Sequence, residues 1–213
     1  KALLSDPGHW VHAMPGKLLQ NTLDHALAKI VEFIPDDRPT VSAFGAVRRQ
    51  TRFGDVRDEL VDEARVVIRG ERVSAYVTFS GHARPVGHFL RVYGSKNSAH
   101  VDYNNRTCTL EVVPTLPSAI GRLVPAFQQA AAFAREGARN VGRFKDSRFH
   151  FFAGLGELFR RFYRSIADGT EAPISTRDIL RVARLLDEIF EQVRAPAPRS
   201  SADRSEHPRG VVS

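Results

Sequence analysis

The sequence has little cysteine and no long apolar run, and each shortage excludes a class of protein. Its one cysteine, Cys108, has no partner for an internal disulfide, so the core alone must hold the fold. This cysteine usage is typical of a reducing compartment, and we expect the cytoplasm. No apolar run approaches the roughly 20 residues that span a bilayer, so we expect no membrane partner.

Blocks of consecutive basic residues are also missing, although the chain is strongly basic. It carries 31 Lys+Arg against 24 Asp+Glu, a formal charge of +7 and a pI near 10.1. A pI above 9 raises nucleic acid as a partner. The arginine pairs, such as Arg48 with Arg49 and Arg160 with Arg161, are interleaved with apolar positions, as on an ordinary amphipathic surface. We therefore expect no nucleic-acid partner.

Three motifs of enzyme chemistry are absent from the sequence. A dinucleotide fingerprint needs G-x-G-x-x-G, and Gly154-Leu155-Gly156 lacks the third glycine, which favours close helix packing instead. The G-x-S-x-G elbow of serine hydrolases does not occur. His9 and His12 are three residues apart, but no third ligand accompanies them, so we expect no metal.

Hydrophobic periodicity predicts one helix, then strands, then further helices. Apolar residues at three- and four-residue spacing predict helices over 17–34, from Ser118 to Gly137, over 151–166 and over 176–193. Strands are predicted over Thr40–Arg48, Ala64–Arg69, Val73–Ser80, His88–Tyr93, Ser98–Tyr103 and Thr107–Val112. This order indicates an α+β domain over residues 1–194, with a largely antiparallel open sheet of about five to six strands and helices mainly on one face.

One predicted strand, Val73–Ser80, alternates clearly between apolar and polar positions. Its outer side would carry Tyr76 and Thr78, and an uncovered, partly apolar sheet face predicts self-association, that is, a homo-oligomer. Residues 195–213 are polar and rich in proline and serine, so we expect a disordered tail. The chain begins with Lys1 and shows no signal-peptide pattern, and we expect a segment of a longer polypeptide.

The most informative stretch is residues 6–25, DPGHWVHAMPGKLLQNTLDH. Gly16 precedes a predicted helix on which Asn21 and His25 lie one turn apart. An imidazole exchanges protons near pH 7, and a neighbour one turn earlier can orient a substrate. A histidine on an amphipathic helix is more often an ordinary boundary residue, so both interpretations stay open at this point.

This stretch resembles the G-G-x-x-x-D-x-x-x-H signature of the glucose-fructose oxidoreductase and inositol dehydrogenase family. Lys17 stands where the family has its second glycine, and Asn21 stands where it has aspartate. The resemblance continues through residues 90–102, LRVYGSKNSAHVD, which are similar to the family's strand, glycine turn and strand. It extends to residues 168–175, DGTEAPIS, which lead into the last helix and resemble the family's closing turn. It covers about residues 6–194.

The resemblance implies an NAD(P)-dependent oxidoreductase acting on a sugar, cyclitol or nucleotide-sugar hydroxyl. Family members bind NAD or NADP with an N-terminal domain that carries a Glu-Lys-Pro lysine, and this chain contains no such tripeptide. The chain is therefore expected to be the C-terminal substrate and oligomerisation domain, inactive alone, with His25 transferring the substrate proton and Asn21 as its companion. Because an amide carries no charge, a non-catalytic sugar-binding or oligomerisation module is the alternative.

Three further residues are candidates for substrate binding: Trp10, His12 and Lys17. The Trp10 indole has a flat face suited to a sugar ring, although simple burial is an equal interpretation. Lys17 adds positive charge at a helix N-terminus, which suits a phosphate or carboxylate, although a solvated lysine is the more ordinary reading.

Overall fold

The computed structural model describes residues 8–14, 16–48, 51–53, 56–58, 61–113, 118–150 and 152–194. It divides the chain into two compact units. The first unit comprises Lys1–Gly81 and Asp178–Ser213, and the second comprises His82–Arg177. The tail predicted over 195–213 lies outside the described residues.

Helices and antiparallel strands build both units. A short 3-10 helix, Trp10–Ala13, precedes helices α1 Lys17–Ile30, α2 Ser118–Lys145, α3 Ala153–Asp168 and α4 Thr176–Arg194. The strands are β1 Thr40–Ala46, β2 Thr51–Phe53, β3 Val56–Asp58, β4 Glu63–Arg69, β5 Ser74–Ser80, β6 Phe89–Tyr93, β7 Asn97–Asp102 and β8 Thr107–Val112. They form a β1-β4-β5 sheet, a β2-β3 hairpin and a β6-β7-β8 sheet, all antiparallel. The predicted α+β class is confirmed.

Two helices and one sheet face enclose the core of the first unit. Leu19, Leu23 and Leu27 recur along α1 at helical spacing, and each is at most 2% exposed. The buried sheet positions alternate along the strands, as in Val66 and Ile68 of β4. The other buried hydrophobic residues of this unit are Val11, Ile30, Val31, Ile34, Val41, Ala43, Ala64, Val77, Leu185, Ile189 and Phe190.

A glutamine side chain from α4 closes the outer edge of this sheet. The Gln192 amide accepts a hydrogen bond from the Ala43 N–H at 2.8 Å and donates one to the Val41 carbonyl at 3.0 Å. Because β1 is an edge strand, these two backbone groups have no neighbouring strand to bond. The side chain therefore takes the place of a strand.

Helix α2 packs along β8 in the second unit through polar contacts. Gln129 donates to Glu111 at 2.9 Å, and Thr109, on the same side of β8, is only 5% exposed. At the other end of α2, Asn140 and Arg143 donate to the carbonyls of Asn105 and Arg106 in the β7-β8 turn. The opposite face of this sheet carries a run of apolar or sulfur-bearing residues, of which Leu110 is 62% exposed: Leu90, Val92, Ala99, Val101, Cys108 and Leu110.

The β7-β8 turn is fixed by its own carboxylate. Asp102 accepts backbone hydrogen bonds from Asn105 and Asn104, and these bonds, that of Asn105 foremost, hold the pKa of Asp102 below its usual range. Arg106 has a left-handed backbone with φ of 52°, and its guanidinium lies 4.7 Å from the centre of the Phe149 ring. The turn and the C-terminal end of α2 are thereby tied together.

Several predicted boundaries differ from the structure. The expected open sheet of five to six strands is instead two three-stranded sheets, because residues 81–88, which include Pro85 without a backbone N–H, connect β5 to β6 without forming a strand. The first helix ends at Ile30 rather than at residue 34, where i to i−3 bonds tighten the chain before Pro35. The second helix continues past Gly137 to Lys145.

Candidate active site

The segment before α1 is anchored by one buried side chain. Val11 of the 3-10 helix is fully buried, and His9 caps this helix by accepting the Val11 N–H on Nδ1 at 3.3 Å. Trp10 points away from the core, 58% exposed, with its ring 5.5 Å from that of His9. Simple burial of Trp10 is therefore wrong, since the indole face is available to a ligand. His12, at the end of the same helix, is partly buried.

At the start of helix α1 the backbone of Gly16 lies close to the side chain of Phe190. A Cβ on Gly16 would lie 2.6 Å from Cζ of Phe190, so only glycine fits there without repacking. The Gly16 N–H donates to Oε1 of Gln20 at 2.9 Å, which satisfies one of the free donors at the helix start. This contact with α4 fixes the direction in which α1 leaves the loop.

Lys17 follows with a left-handed backbone, at φ of 48°. This conformation favours glycine and costs another residue about 1–2 kcal/mol. Position 17 is also where the signature has its second glycine, a residue that adopts a left-handed backbone without this cost.

Asn21 and His25 lie on successive turns of α1, away from its buried leucines. Asn21 is partly buried, and the His25 side chain is 70% exposed. An exposed imidazole at the surface of a fixed helix can meet a substrate, whereas a buried one would serve packing. The exposure of His25 fits both the catalytic interpretation and that of an ordinary boundary residue.

The structure brings a different acidic residue to His25 than the motif does. Oδ1 of Asp24 lies 3.9 Å from Nδ1 of His25 and accepts the His25 backbone N–H at 2.7 Å. Lys29 donates from Nζ to the His25 carbonyl at 2.7 Å. Burial lowers the pKa of Lys29, and the Asp24 charge opposes that shift. A search for a carboxylate one helical turn before His25 misses Asp24, because adjacent helix residues do not usually face each other.

A recess at the other end of α1 is not part of this group. It is lined by Val31, Ile34, Asp36, Arg181 and Leu185, among others, and Arg181 donates there to the Asp36 carbonyl at 3.1 Å. His25 lies on open surface in the described part of the chain. A substrate bound at His25 would need a further surface to enclose it and exclude water.

No group of three or more histidine, cysteine, aspartate or glutamate side chains gathers for a metal within the residues that the structure describes. None of the helices in the described ranges is both long and apolar enough to cross a bilayer.

Comparison with solved structures identifies the fold. The chain is similar to the WlbA dehydrogenase of Bordetella pertussis, solved in complex with NADH and UDP-GlcNAcA, with 12% identity and a TM-score of 0.58. The match covers 90% of this chain and 52% of WlbA. It is also similar to the oxidoreductase yvaA of Bacillus subtilis, with 11% identity and a TM-score of 0.47, over 82% of this chain and 49% of that one.

The chain thus shares its fold with about half of a dehydrogenase, and the expected resemblance is confirmed at the level of fold. No family model matches the sequence, and no curated protein matches it.

Proposed function

We propose that this chain is the substrate-binding and oligomerisation domain of an NAD(P)-dependent oxidoreductase acting on a sugar, cyclitol or nucleotide-sugar hydroxyl. The observation that carries the proposal is the shared fold over 90% of the chain, in which the motif residue His25 lies exposed on α1. WlbA, half of which this fold matches, was solved with NADH and a nucleotide sugar, and this supports the substrate class.

His25 is the proposed proton-transfer residue. As the substrate alcohol becomes a carbonyl, its hydroxyl proton passes to the imidazole, which acts as a general base. The nicotinamide, when bound, accepts the hydride that leaves the same carbon. We assign NAD or NADP mainly to a domain outside this chain, because the sequence has no G-x-G-x-x-G to hold the diphosphate.

The remaining candidate residues would orient the substrate. The exposed Trp10 indole offers a face for a sugar ring, and the amide of Asn21 can bond a hydroxyl as donor or acceptor. Lys17 places a positive charge at the start of α1, where it would meet the phosphate or carboxylate of a nucleotide sugar. His12, in the 3-10 helix that precedes α1, is the last of the proposed substrate-binding residues.

Replacing His25 by alanine in the full-length protein that carries this chain tests the enzyme proposal. We expect kcat and kcat/KM to fall together by about 10²–10⁴-fold, as for a lost general acid-base group, with thermal unfolding unchanged. The assay follows reduced nicotinamide with sugars, cyclitols and nucleotide sugars, and Glu32→Ala, an exposed residue beyond α1, is the control. Full turnover by His25→Ala would contradict the proposal.

The alternative is a module that binds a sugar or assembles copies without catalysis, and one observation favours it. Asn21 has no charge with which to stabilise an imidazolium, although the signature has a carboxylate there. Retained sugar binding by a protein that never reduces NAD or NADP would establish this module instead.

We further propose that open sheet faces mediate self-association. Tyr76 of β5 is 79% exposed and Phe44 of β1 is 70% exposed, on the face of the first sheet opposite its core. Light scattering should give an oligomer that dissociates in the Phe44→Ser, Tyr76→Ser variant. Phe33→Ser, which removes an exposed aromatic residue outside the sheet, should leave it intact. A wild-type monomer at high concentration would contradict self-association.

A further inference from the structure

The C-terminal half of α2 carries an exposed stripe of apolar or small residues. The side of α2 that contacts β8 and the β7-β8 turn includes Gln129, Asn140 and Arg143. The stripe lies about a third of a turn around the helix from that side. A Cβ on Gly137 would meet nothing within 4 Å there. Four exposed residues, at alternating steps of three and four, form what we call the α2 stripe: Ala134, Gly137, Val141 and Phe144.

Helix α3 carries a second exposed stripe with the same kind of spacing. This α3 stripe consists of Leu155, Phe159, Phe162 and Ile166. The charged residues of the helix lie on its other half: Glu157, Arg160, Arg161, Arg164 and Asp168. Glu157 accepts hydrogen bonds from Arg160 and Arg161, so these charges compensate one another on the side away from the stripe. The α3 stripe therefore fits an apolar partner rather than a charged one.

The two stripes match each other when the helices run antiparallel. Each step of three residues backwards along α2 then corresponds to a step of four forwards along α3, and the reverse, as in the seam of a coiled coil. Phe162 faces Gly137 and Ile166 faces Ala134, so large side chains of one helix enter the space above small residues of the other. Pairing of the α3 stripe with a copy of itself lacks this match, because all four of its side chains are large.

Within one chain the two stripes do not cover each other, since both are exposed. The connection between the helices is held by Arg106 of the β7-β8 turn, which donates to the carbonyls of Arg148 at 3.0 Å and His150 at 2.6 Å. Asn140 and Arg143 tie the end of α2 to the same turn. Because both helices are fixed to one turn with their stripes uncovered, the α3 that covers an α2 stripe is best supplied by another chain.

We infer that α2 and α3 form a reciprocal interface between two copies of this chain, in which the α3 stripe of each copy packs antiparallel on the α2 stripe of the other. A two-fold axis makes the contact twice, so the interface closes as a dimer. This contact is separate from the sheet contact proposed above, and it does not depend on the proposed dehydrogenase function.

The exposed area is sufficient for such a dimer. The six large side chains of the two stripes are about half exposed and offer roughly 600 Å² in each copy, since a covered large side chain buries on the order of 200 Å². Two copies then bury roughly 1,200 Å², which is the lower end of the range for specific interfaces.

Disulfide cross-linking between two differently tagged forms of the chain tests which copy supplies α3. Both forms carry Cys108→Ser, which removes the one cysteine of the chain. One form adds Ala134→Cys and the other adds Ile166→Cys, at positions that face each other in the proposed seam. After mixing and treatment with oxidised glutathione we expect a covalent heterodimer, because facing positions of packed helices reach the Cα separation of about 4.4–6.8 Å that a disulfide requires.

A mixture of Gly142→Cys and Arg164→Cys forms is the control. These exposed positions lie on other sides of α2 and α3 and should give no heterodimer. A single chain that carries both Ala134→Cys and Ile166→Cys distinguishes the sources of α3. An internal disulfide in that monomer, with no heterodimer from the mixture, would overturn the inference, because the helices then pair within one chain. No cross-link in either experiment would overturn it too, as expected if another part of a longer polypeptide covers the stripes.

The second test measures the oligomeric state of the Phe44→Ser, Tyr76→Ser variant, which lacks the proposed sheet contact. We expect it to dissociate only as far as a dimer in sedimentation velocity. Adding Gly137→Glu places a charge in the α2 stripe and should raise the dimer dissociation constant by about tenfold or more, because the charge is buried without a partner. Gly142→Glu, in the same helix and with equally open surroundings, should leave the dissociation constant unchanged.

Two outcomes of the second test would contradict the inference. Direct dissociation of the Phe44→Ser, Tyr76→Ser variant to monomers would leave the sheet contact standing and remove the helical one. Equal dissociation constants for Gly137→Glu and Gly142→Glu would show that the α2 stripe is not in the interface. Neither outcome affects the dehydrogenase proposal, which turnover by His25→Ala tests separately.

Discussion

The two units of the chain differ in the apolar side chains that they bury. Every buried hydrophobic residue within the described ranges belongs to the first unit, whereas the buried residues of the second are Thr109, Glu136 and Ser165. The second unit instead exposes large apolar groups, including a stripe on α3 formed by Leu155, Phe159, Phe162 and Ile166. A large exposed apolar surface is characteristic of an interface.

The proposed function needs a rigid support for the substrate-binding residues and a surface for self-association. The two units differ in which of these needs their packing suits. Residues of the candidate site lie on a helix that a closed core holds in place, so their geometry depends on the first unit's own packing. The second unit instead leaves large apolar side chains exposed. Substitutions of buried residues in the first unit should therefore lower the stability of the fold, whereas substitutions of exposed apolar residues in the second unit should leave it nearly unchanged.

The largest expected effect separates a core leucine from an exposed phenylalanine. Leu23→Ala removes a side chain that is 1% exposed and should lower the free energy of unfolding by about 2–5 kcal/mol. Phe159→Ala, at a position 54% exposed, should change it by less than about 0.5 kcal/mol in the monomer. Urea unfolding followed by circular dichroism at low protein concentration measures both. Equal losses would show that the α3 stripe is packed, and the comparison between the units would not hold.

Two glycine-to-alanine substitutions should change the stability of the fold in opposite directions. Gly16→Ala places a Cβ 2.6 Å from Phe190 and should cost about 1–3 kcal/mol of stability, as overpacking does. Gly137→Ala, where a Cβ meets nothing within 4 Å in the middle of α2, should stabilise by about 0.5–1 kcal/mol. Thermal unfolding of the two variants measures the contrast. Stabilisation by Gly16→Ala would refute the close approach of α1 to Phe190.

Lys17→Gly should stabilise the first unit. Glycine relieves a backbone with φ of 48° but gains freedom in the unfolded chain, so the net effect is about 1 kcal/mol in favour of the variant. Lys17→Ala keeps the strain and removes the charge, and it should not stabilise. If both variants unfold at the same denaturant concentration, the left-handed conformation at this position is not present in solution.

The smallest effect belongs to an exposed ion pair on α3. Hydrogen bonds from Arg160 and then Arg161 hold the pKa of Glu157 at about 2, below its usual 4.5. A depressed carboxyl pKa contributes stability above pH 4.5, and this contribution is lost as the pH falls towards 2. Glu157→Gln should therefore be slightly less stable than the wild type at pH 6 and equal to it near pH 2. A difference that persists at pH 2 would point to another cause.

The sequence predicts the helices and strands that show hydrophobic periodicity. It does not predict the element boundaries that tertiary contacts determine. The leucine spacing of α1 and the alternation of β5 are visible in the letters, and both elements are present. Gly137 indicates a helix end, yet α2 continues because Asn140 and Arg143 bond the β7-β8 turn beyond it. The short β2-β3 hairpin has too few residues to show alternation.

The sequence shows only part of the local structure around the candidate site. The roles of His25, Asn21, Trp10, His12 and Lys17 stay predictions, although the structure places all five on the 3-10 helix and α1. Asp24 has no signal in the sequence, because only the rotamers set by the helix bring its carboxylate to the imidazole. The left-handed backbone at Lys17 could likewise not be predicted, because lysine rarely adopts that conformation.

The Gln192 cap on β1 has a consequence for biosynthesis. Gln192 follows Ala43 by 149 residues, so at about 5–20 residues per second the ribosome takes roughly 7–30 s to supply it after the strand. During that time the edge of β1 offers its free N–H and carbonyl groups to any extended segment nearby. The nascent chain is thus exposed to strand-mediated aggregation until α4 emerges, and a chaperone that binds extended segments would act in that interval.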